Sequence, residues 1–323
     1  MKYRTFGRTG WKVSEIGYGM WGLASWTGSE EKEVDASLDL AVELGCNFFD
    51  TAWAYSEGLS ETIANRMLKR NADKQLYVAT KIPPKNFIWP SKREFTLDAC
   101  FPPDHIIEYT EKSLKNLGVD TIDLQQFHVW EDGWAGDERW QEAVSRLKEQ
   151  GKIRAMGVSV NRWEPNNCLQ TLKTGYIDAV QVIYNIFDQA PDDQLFPLCD
   201  TLDIGIIARV PFDEGTLTGN LTEDTTWPED DWRSTYFVPA NLESSVAHAD
   251  SLRPLVPKGM TMAEMALRFI LCNETVSTII PGMRNTKHSR QNIGTSDGKR
   301  LPKDLLVELK KHRWDREPTW WSQ

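Results

Sequence analysis

Cysteine and histidine are both scarce in this chain, with five of each. The cysteines (Cys46, Cys100, Cys168, Cys199 and Cys272) are odd in number, scattered, and form no C-x-x-C pair. That argues against a disulfide framework or a zinc site and suits a reducing compartment. The histidines make no clear set with carboxylates, so no metal site is read from the sequence. No apolar run is long enough to span a bilayer, and residues 1–17 lack the apolar stretch of a secretory signal. The expectation is a cytoplasmic protein. Positive charge is also in deficit: 37 Lys and Arg face 47 Asp and Glu, a formal net charge of -10. Nucleic acid and anionic membranes are therefore poor partners, whereas a small molecule, or a second copy of the chain, is compatible. A local basic pocket for an anionic ligand stays open. No G-x-G-x-x-G follows the first strand-like run, which disfavours an open dinucleotide-binding sheet, the second choice of fold.

What is present is alternation. Eight short, β-branched apolar runs (15–21, 47–53, 76–82, 121–128, 153–160, 179–185, 205–212 and 277–282) are separated by amphipathic stretches such as 30–44, 60–70, 103–117, 140–150, 191–202 and 262–271. Unbroken apolar runs suit parallel strands covered on both faces. Glycines at 45, 118 and 151 stand where helices end. Eight strand–helix units in 323 residues are the pattern of one (β/α)8 TIM barrel, an α/β fold occupying 1–323 as a single domain. Residues 3–6 and 12–14 flank Gly7-Arg8-Thr9-Gly10, an expected β-hairpin cap on the barrel floor. The stretches 83–102, 129–139 and 213–241 are long loops after strands, on the C-terminal face where barrel enzymes build their sites. The tail, 314–323, is placed over the same mouth.

Four residues that can do chemistry sit at or just beyond the ends of neighbouring strands: Asp50, Tyr55, Lys81 and His128. Each has a structural alternative, as a barrel ion pair (Asp50 with Lys81), a loop tyrosine or a hydrogen-bonded core histidine. Together they suit carbonyl reduction, in which the oxygen must receive a proton as hydride reaches the carbon. A tyrosine with pKa near 10 is a weak acid, and an adjacent ammonium eases its proton release. Lys81 would supply that charge, Asp50 would orient Lys81, and His128 would set the substrate oxygen.

The run Gly45-Cys46-Asn47-Phe48-Phe49-Asp50-Thr51-Ala52-Trp53-Ala54-Tyr55-Ser56-Glu57-Gly58-Leu59-Ser60-Glu61 resembles the aldo-keto reductase signature G-x-N-x-x-D-T-A-x-x-Y-x-x-G-x-S-E. Residues 117–128, ending at His128, Ala79-Thr80-Lys81, and Arg8-Thr9-Gly10-Trp11-Lys12-Val13-Ser14 are similar to further segments of that family. The resemblance implies a catalytic tetrad of Asp50, Tyr55, Lys81 and His128, with hydride passing to or from an extended NAD(P)H. It also implies cofactor contacts. Ser159, with Asn161 nearby, and Gln181 match residues that hold the nicotinamide carboxamide, although Val160 stands where Asn is usual. Arg209 takes the place of an aromatic ring that stacks on the nicotinamide, a role a planar guanidinium can fill. Gly215, Leu217 and Gly219 resemble the loop that wraps the pyrophosphate. Asp213 and Glu214 precede it where the family usually has no acid, facing the substrate or making a hinge contact. After Gly282, Arg284, His288, Gln291 and Asn292 resemble the adenosine site. Arg284, with His288, is read as meeting a 2′-phosphate, making NADPH the expected cofactor and NAD the second choice.

The substrate is expected to be a small polar aldehyde, ketone or sugar, or the corresponding alcohol. Fourteen tryptophans are present, many in irregular stretches, and Trp21, Trp53, Trp89 and Trp130 are the expected pocket wall. Tail tryptophans such as Trp320 and Trp321 would help close it. Two rival readings are a cofactor-sensing binding protein of the same fold, like channel-associated β-subunits, and a metal-dependent barrel lyase or isomerase.

Overall fold

The structure is a computed structural model and describes residues 1–23, 31–319 and 321. Glu30, where the first helix was expected to begin, and Trp320 lie outside the described residues. Two strands, β1 (Tyr3–Phe6) and β2 (Trp11–Ser14), form the antiparallel hairpin around a short 3-10 turn, Gly7–Thr9. Eight further strands run parallel: β3 (Tyr18–Gly19), β4 (Phe48–Asp50), β5 (Tyr77–Ile82), β6 (Ile122–Phe127), β7 (Ile153–Ser159), β8 (Ala179–Ile183), β9 (Gly205–Arg209) and β10 (Thr278–Ile279). Each pairs with its sequence neighbour, and parallel bridges Ile16–Ile279 and Gly19–Gly282 join the two ends of the sheet. The result is a (β/α)8 barrel.

Side-chain alternation along these strands sorts the core into two. Outward residues such as Phe49, Val78, Phe127, Val158 and Val180 join the main apolar layer beneath the helices. Inward residues Phe48, Tyr77, Ala79, Leu124, Ala155, Ala179 and Ile207 form a second cluster with Phe6, Trp11 and Val13 of the hairpin. The same parity carries Asp50, Lys81, Gln126, Ser159, Gln181 and Arg209 to the inside, one step nearer the C-terminal mouth. The floor is therefore apolar and plugged, and the polar residues gather above it. The plug explains one glycine: a Cβ on Gly205 would meet the Phe6 ring at 2.8 Å.

The helices Glu31–Glu43, Leu59–Arg70, Pro103–Leu117, Glu138–Glu149, Leu195–Leu202 and Met262–Leu271 fall within a few residues of the expected stretches. Gly118, with φ 65°, takes the left-handed conformation that ends Pro103–Leu117. Helices Pro239–Leu252, Thr286–Gly294 and Lys303–Lys310, absent from the sequence reading, complete the outer layer near the C-terminus.

Candidate active site

Asp50 ends β4 and Lys81 lies near the end of β5, so the register brings them to adjoining positions inside the barrel. Lys81 Nζ donates to Asp50 Oδ2 at 2.7 Å, to the Thr51 carbonyl at 2.7 Å and to Tyr55 Oη at 3.3 Å. Asp50 Oδ1 accepts from Gln181 Nε2 at 2.7 Å and from Gln126 Nε2 at 3.3 Å. Lys81 and Asp50 are buried, whereas Tyr55 and His128 above them are half-buried and face the mouth. The Tyr55 and His128 rings meet edge-on, with centroids 5.7 Å apart. The four residues thus converge on one point.

The chain between Asp50 and the next helix has a physical reason for each fixed residue. Thr51 Oγ1 donates to Ser60 Oγ at 2.7 Å, pinning the turn that carries Tyr55. Glu61 is fully buried and accepts from Thr80 Oγ1 at 2.6 Å and Asn116 Nδ2 at 2.8 Å. Gly58 caps the helix Leu59–Arg70 with φ 90°, and a Cβ there would meet Asn116 Nδ2 at 2.2 Å.

Electrostatics separate the four. Burial opposes charge on Lys81, but Asp50 and Tyr55 outweigh it and hold the ammonium above its ordinary range. Burial pushes the Tyr55 phenol up, and Lys81 only partly pulls it back. The expected lowering by Lys81 is therefore present but outweighed. His128 is held well below the usual imidazole range, first by burial and then by Lys81 and Arg209. At neutral pH the site presents a protonated phenol beside an ammonium and a neutral imidazole.

Around the mouth, Ser159 and Gln181 are paired across β7 and β8. Arg209, ending β9, donates from Nη2 to the Val160 carbonyl at 3.0 Å. Gly215, Leu217 and Gly219 lie in and just after a 3-10 segment, Asp213–Thr218. Among the described residues, a Cβ on Gly215 or Gly282 would meet nothing within 4 Å, so open space borders both backbones there. Arg284 lies against Gly22, where a Cβ would meet its side chain at 3.2 Å. Asn285 Oδ1 caps the next helix by accepting from the His288 N–H; Gln291 is exposed, and Asn292 Nδ2 contacts the Gly282 carbonyl at 3.4 Å. The two loop acids do not meet the open mouth as bare charges. Asp213 pairs with Arg316 at 2.7 Å and Glu214 with Arg162 at 2.5 Å.

Two sequence expectations need correction. Asn161 is committed elsewhere: its Nδ2 donates to Glu131 Oε1 at 2.9 Å and Glu164 Oε2 at 3.0 Å, and its Oδ1 accepts from the Ser91 N–H at 3.3 Å. It braces two loops rather than offering its amide to a carboxamide. Trp130 is fully buried on the outer side of the barrel, stacked on Phe127 at 4.7 Å, with its indole N–H donating to Thr171 at 2.7 Å. It packs the helix layer, because Phe127 and its neighbours point outward. Trp89, in contrast, meets His128 edge-on at 5.6 Å, and Phe87 bridges Trp89 and Trp53, at 6.2 Å from each. Trp21 packs on Trp232 at 5.1 Å.

The model of the aldo/keto reductase family matches residues 15–313. The chain belongs to that family. It is 29% identical to the NADH-specific methylglyoxal reductase of Escherichia coli (strain K12), over 91% of this chain and 93% of that one. The holo form of aldo-keto reductase AKR11C1 from Bacillus halodurans superposes with a TM-score of 0.78 at 25% identity, covering 100% of both chains. The glycerol dehydrogenase AKR11B4 from Gluconobacter oxydans gives a TM-score of 0.77 at 26% identity, covering 94% of this chain and 92% of that one. This aldo-keto reductase is accordingly an oxidoreductase that uses a nicotinamide cofactor.

The sequence reading missed the polar residues that support its mouth. Asp188 and Arg316 lie outside every signature segment, and Arg162 directly follows one that ends at Asn161. Arg316 bridges Asp188 at 2.6 Å and Asp213 at 2.7 Å, its guanidinium between Trp163 and Trp314 at 4.7 and 4.6 Å. The signal available was Asp213 itself, an acid beside an expected phosphate loop, which demands a cation. Gln126, an inward glutamine on an apolar strand, was readable on the same grounds.

Proposed function

We propose that this aldo-keto reductase reduces the carbonyl of a small polar aldehyde, ketone or sugar, or oxidises the corresponding alcohol, with Tyr55 as general acid. The observation that carries the reading is the Lys81 ammonium hydrogen-bonded at once to Asp50 and to the Tyr55 hydroxyl. The mouth fits a nicotinamide cofactor: among the described residues, His128 Nδ1 and Arg209 Nε are buried without partners, and open space borders Gly215 and Gly282. When bound, that cofactor supplies or accepts the hydride. Tyr55 gives its proton to the carbonyl oxygen as the carbonyl carbon gains hydride, and Lys81 stabilises the phenolate left behind. His128, neutral, donates a hydrogen bond to the same oxygen and sets its angle. Trp53, Phe87 and Trp89 form the apolar wall that excludes water beside it.

Ser159, Gln181 and Arg209 are assigned to the nicotinamide end, Gly215, Leu217 and Gly219 to the pyrophosphate, and Gly282, Arg284, His288, Gln291 and Asn292 to the adenosine. Arg284 supports NADPH as the preferred cofactor, because a guanidinium beside the adenosine segment suits a 2′-phosphate. Consumption of NADPH and of NADH, followed by absorbance across a panel of small aldehydes, ketones and sugars, tests the reading. Turnover of none of them, in either direction and with either cofactor, refutes it.

A further inference from the structure

Among the described residues, Lys81, Arg162, Arg209 and Arg316 stand around the mouth as cations, and three of these four have carboxylate partners. Lys81 holds Asp50, Arg162 holds Glu214, and Arg316 holds Asp188 and Asp213. Arg209 differs. Among the described residues its hydrogen bond is a neutral one, Nη2 to the Val160 carbonyl at 3.0 Å, and its Nε is buried without a partner. Burial, then repulsion from Arg162, pulls its guanidinium down to about 10 against the weaker attraction of Glu214, Tyr55 and Asp50, yet at neutral pH it remains a cation. Its charge also reaches Tyr55 and His128, so it acts on the point where the tetrad converges.

We infer that Arg209 makes the cofactor site selective for redox state, holding the reduced nicotinamide cofactor and repelling the oxidised one. This rests on the assignment of Arg209 to the nicotinamide face. A reduced nicotinamide ring is neutral and an oxidised one carries a positive charge. A stacked aromatic residue would welcome that charge through its π face, whereas a guanidinium without a carboxylate partner opposes it. Coulomb repulsion between unit charges one stacking distance apart, even at a surface-like dielectric, exceeds the free energy of a tenfold change in affinity. The neighbouring Arg162–Glu214 pair is internally balanced and does not cancel it. In the direction of carbonyl reduction, Arg209 thereby favours loading of the reduced cofactor and departure of the oxidised one, a step that limits turnover in many enzymes.

The test is a pair of dissociation constants, for NADPH and NADP+, read from quenching of the chain's tryptophans in the wild type, Arg209→Met and Arg209→Lys. The wild type is expected to bind the reduced form at least tenfold more tightly. Arg209→Met should close most of that gap, chiefly by tightening NADP+, while Arg209→Lys should keep it. Binding of 2′-phospho-ADP-ribose, which lacks the nicotinamide, should be alike in all three and shows that each variant is folded. Equal weakening of both cofactors in Arg209→Met would place Arg209 at the cofactor but overturn redox selection. Unchanged affinities for both would overturn the placement itself. A lysine variant that behaves like the methionine one would show that charge is not the cause.

Discussion

At the scale of single residues, the proposed mechanism makes Asp50, Tyr55, Lys81 and His128 one proton-transfer unit, and their variants should show that. Tyr55→Phe removes the proposed proton donor but none of the assigned cofactor contacts. It is expected to lose about 10²–10⁴-fold in kcat, with NADPH affinity near normal by fluorescence titration. Lys81→Met should fall in the same range, since the hydroxyl at 3.3 Å loses its ammonium. The double variant should be scarcely worse than either single one. Near-wild-type turnover by Tyr55→Phe would end the mechanism. The other decisive side chain is Arg284. Arg284→Ala should cost NADPH about 1.5–3 kcal/mol of binding and leave NADH almost unchanged, as expected for a lost charge-assisted contact to a 2′-phosphate. Equal losses for both cofactors, measured side by side, would remove Arg284 from that role.

Among the elements, the segment from Val210 to Gly219 is strained. Val210, Asp213, Glu214 and Gly215 all have positive φ, at 54°, 46°, 55° and 113°, and three of them pay a steric penalty for it as non-glycine residues. Two ion pairs hold the loop in this form, Glu214 to Arg162 and Asp213 to Arg316. The second comes from the C-terminal tail, which is also tied down by the Trp314 N–H to the Phe187 carbonyl at 2.9 Å and by Trp314 stacked on His248 at 3.9 Å. Arg316→Ala leaves two buried carboxylates, Asp188 and Asp213, without their cation, a change typically costing 3–5 kcal/mol. The loop should loosen, so stopped-flow measurements should find faster release of NADPH. An unchanged release rate would mean that the loop keeps its shape without the tail. The eight strands were legible because each is a short apolar run bounded by turn residues, and the tetrad because ionisable groups at apolar strand ends stand out. Arg316 and Arg162 were not legible, since their partners are distant in sequence and only the closed barrel brings them together. Trp130 misled because a tryptophan just after a strand reads alike whether its ring turns into the mouth or under the helices.

Over the whole molecule, the balance of buried charge sets how stability depends on pH. The native state keeps His128 as neutral imidazole, because burial disfavours the cation and Lys81 and Arg209 repel it. An unfolded chain takes up that proton near pH 6.5. Below that pH the unfolded state therefore binds more protons than the native one, and stability falls as pH falls. The contribution is fully present above pH 6.5 and is lost as pH drops toward the depressed native value. One proton can contribute a slope of at most about 1.4 kcal/mol per pH unit. Urea unfolding of wild type and His128→Gln at pH 7.5, 6.5, 5.5 and 4.5 isolates it, since glutamine does not titrate and the other ionisable groups are common to both chains. The stability of wild type relative to the variant should be greatest at pH 7.5 and should shrink steadily below pH 6.5. If the difference stays constant over that range, His128 accepts a proton as readily in the folded barrel as in the open chain. The site would then present an imidazolium under mild acid, and the neutral hydrogen-bond donor assigned to the substrate oxygen would hold only at neutral pH and above.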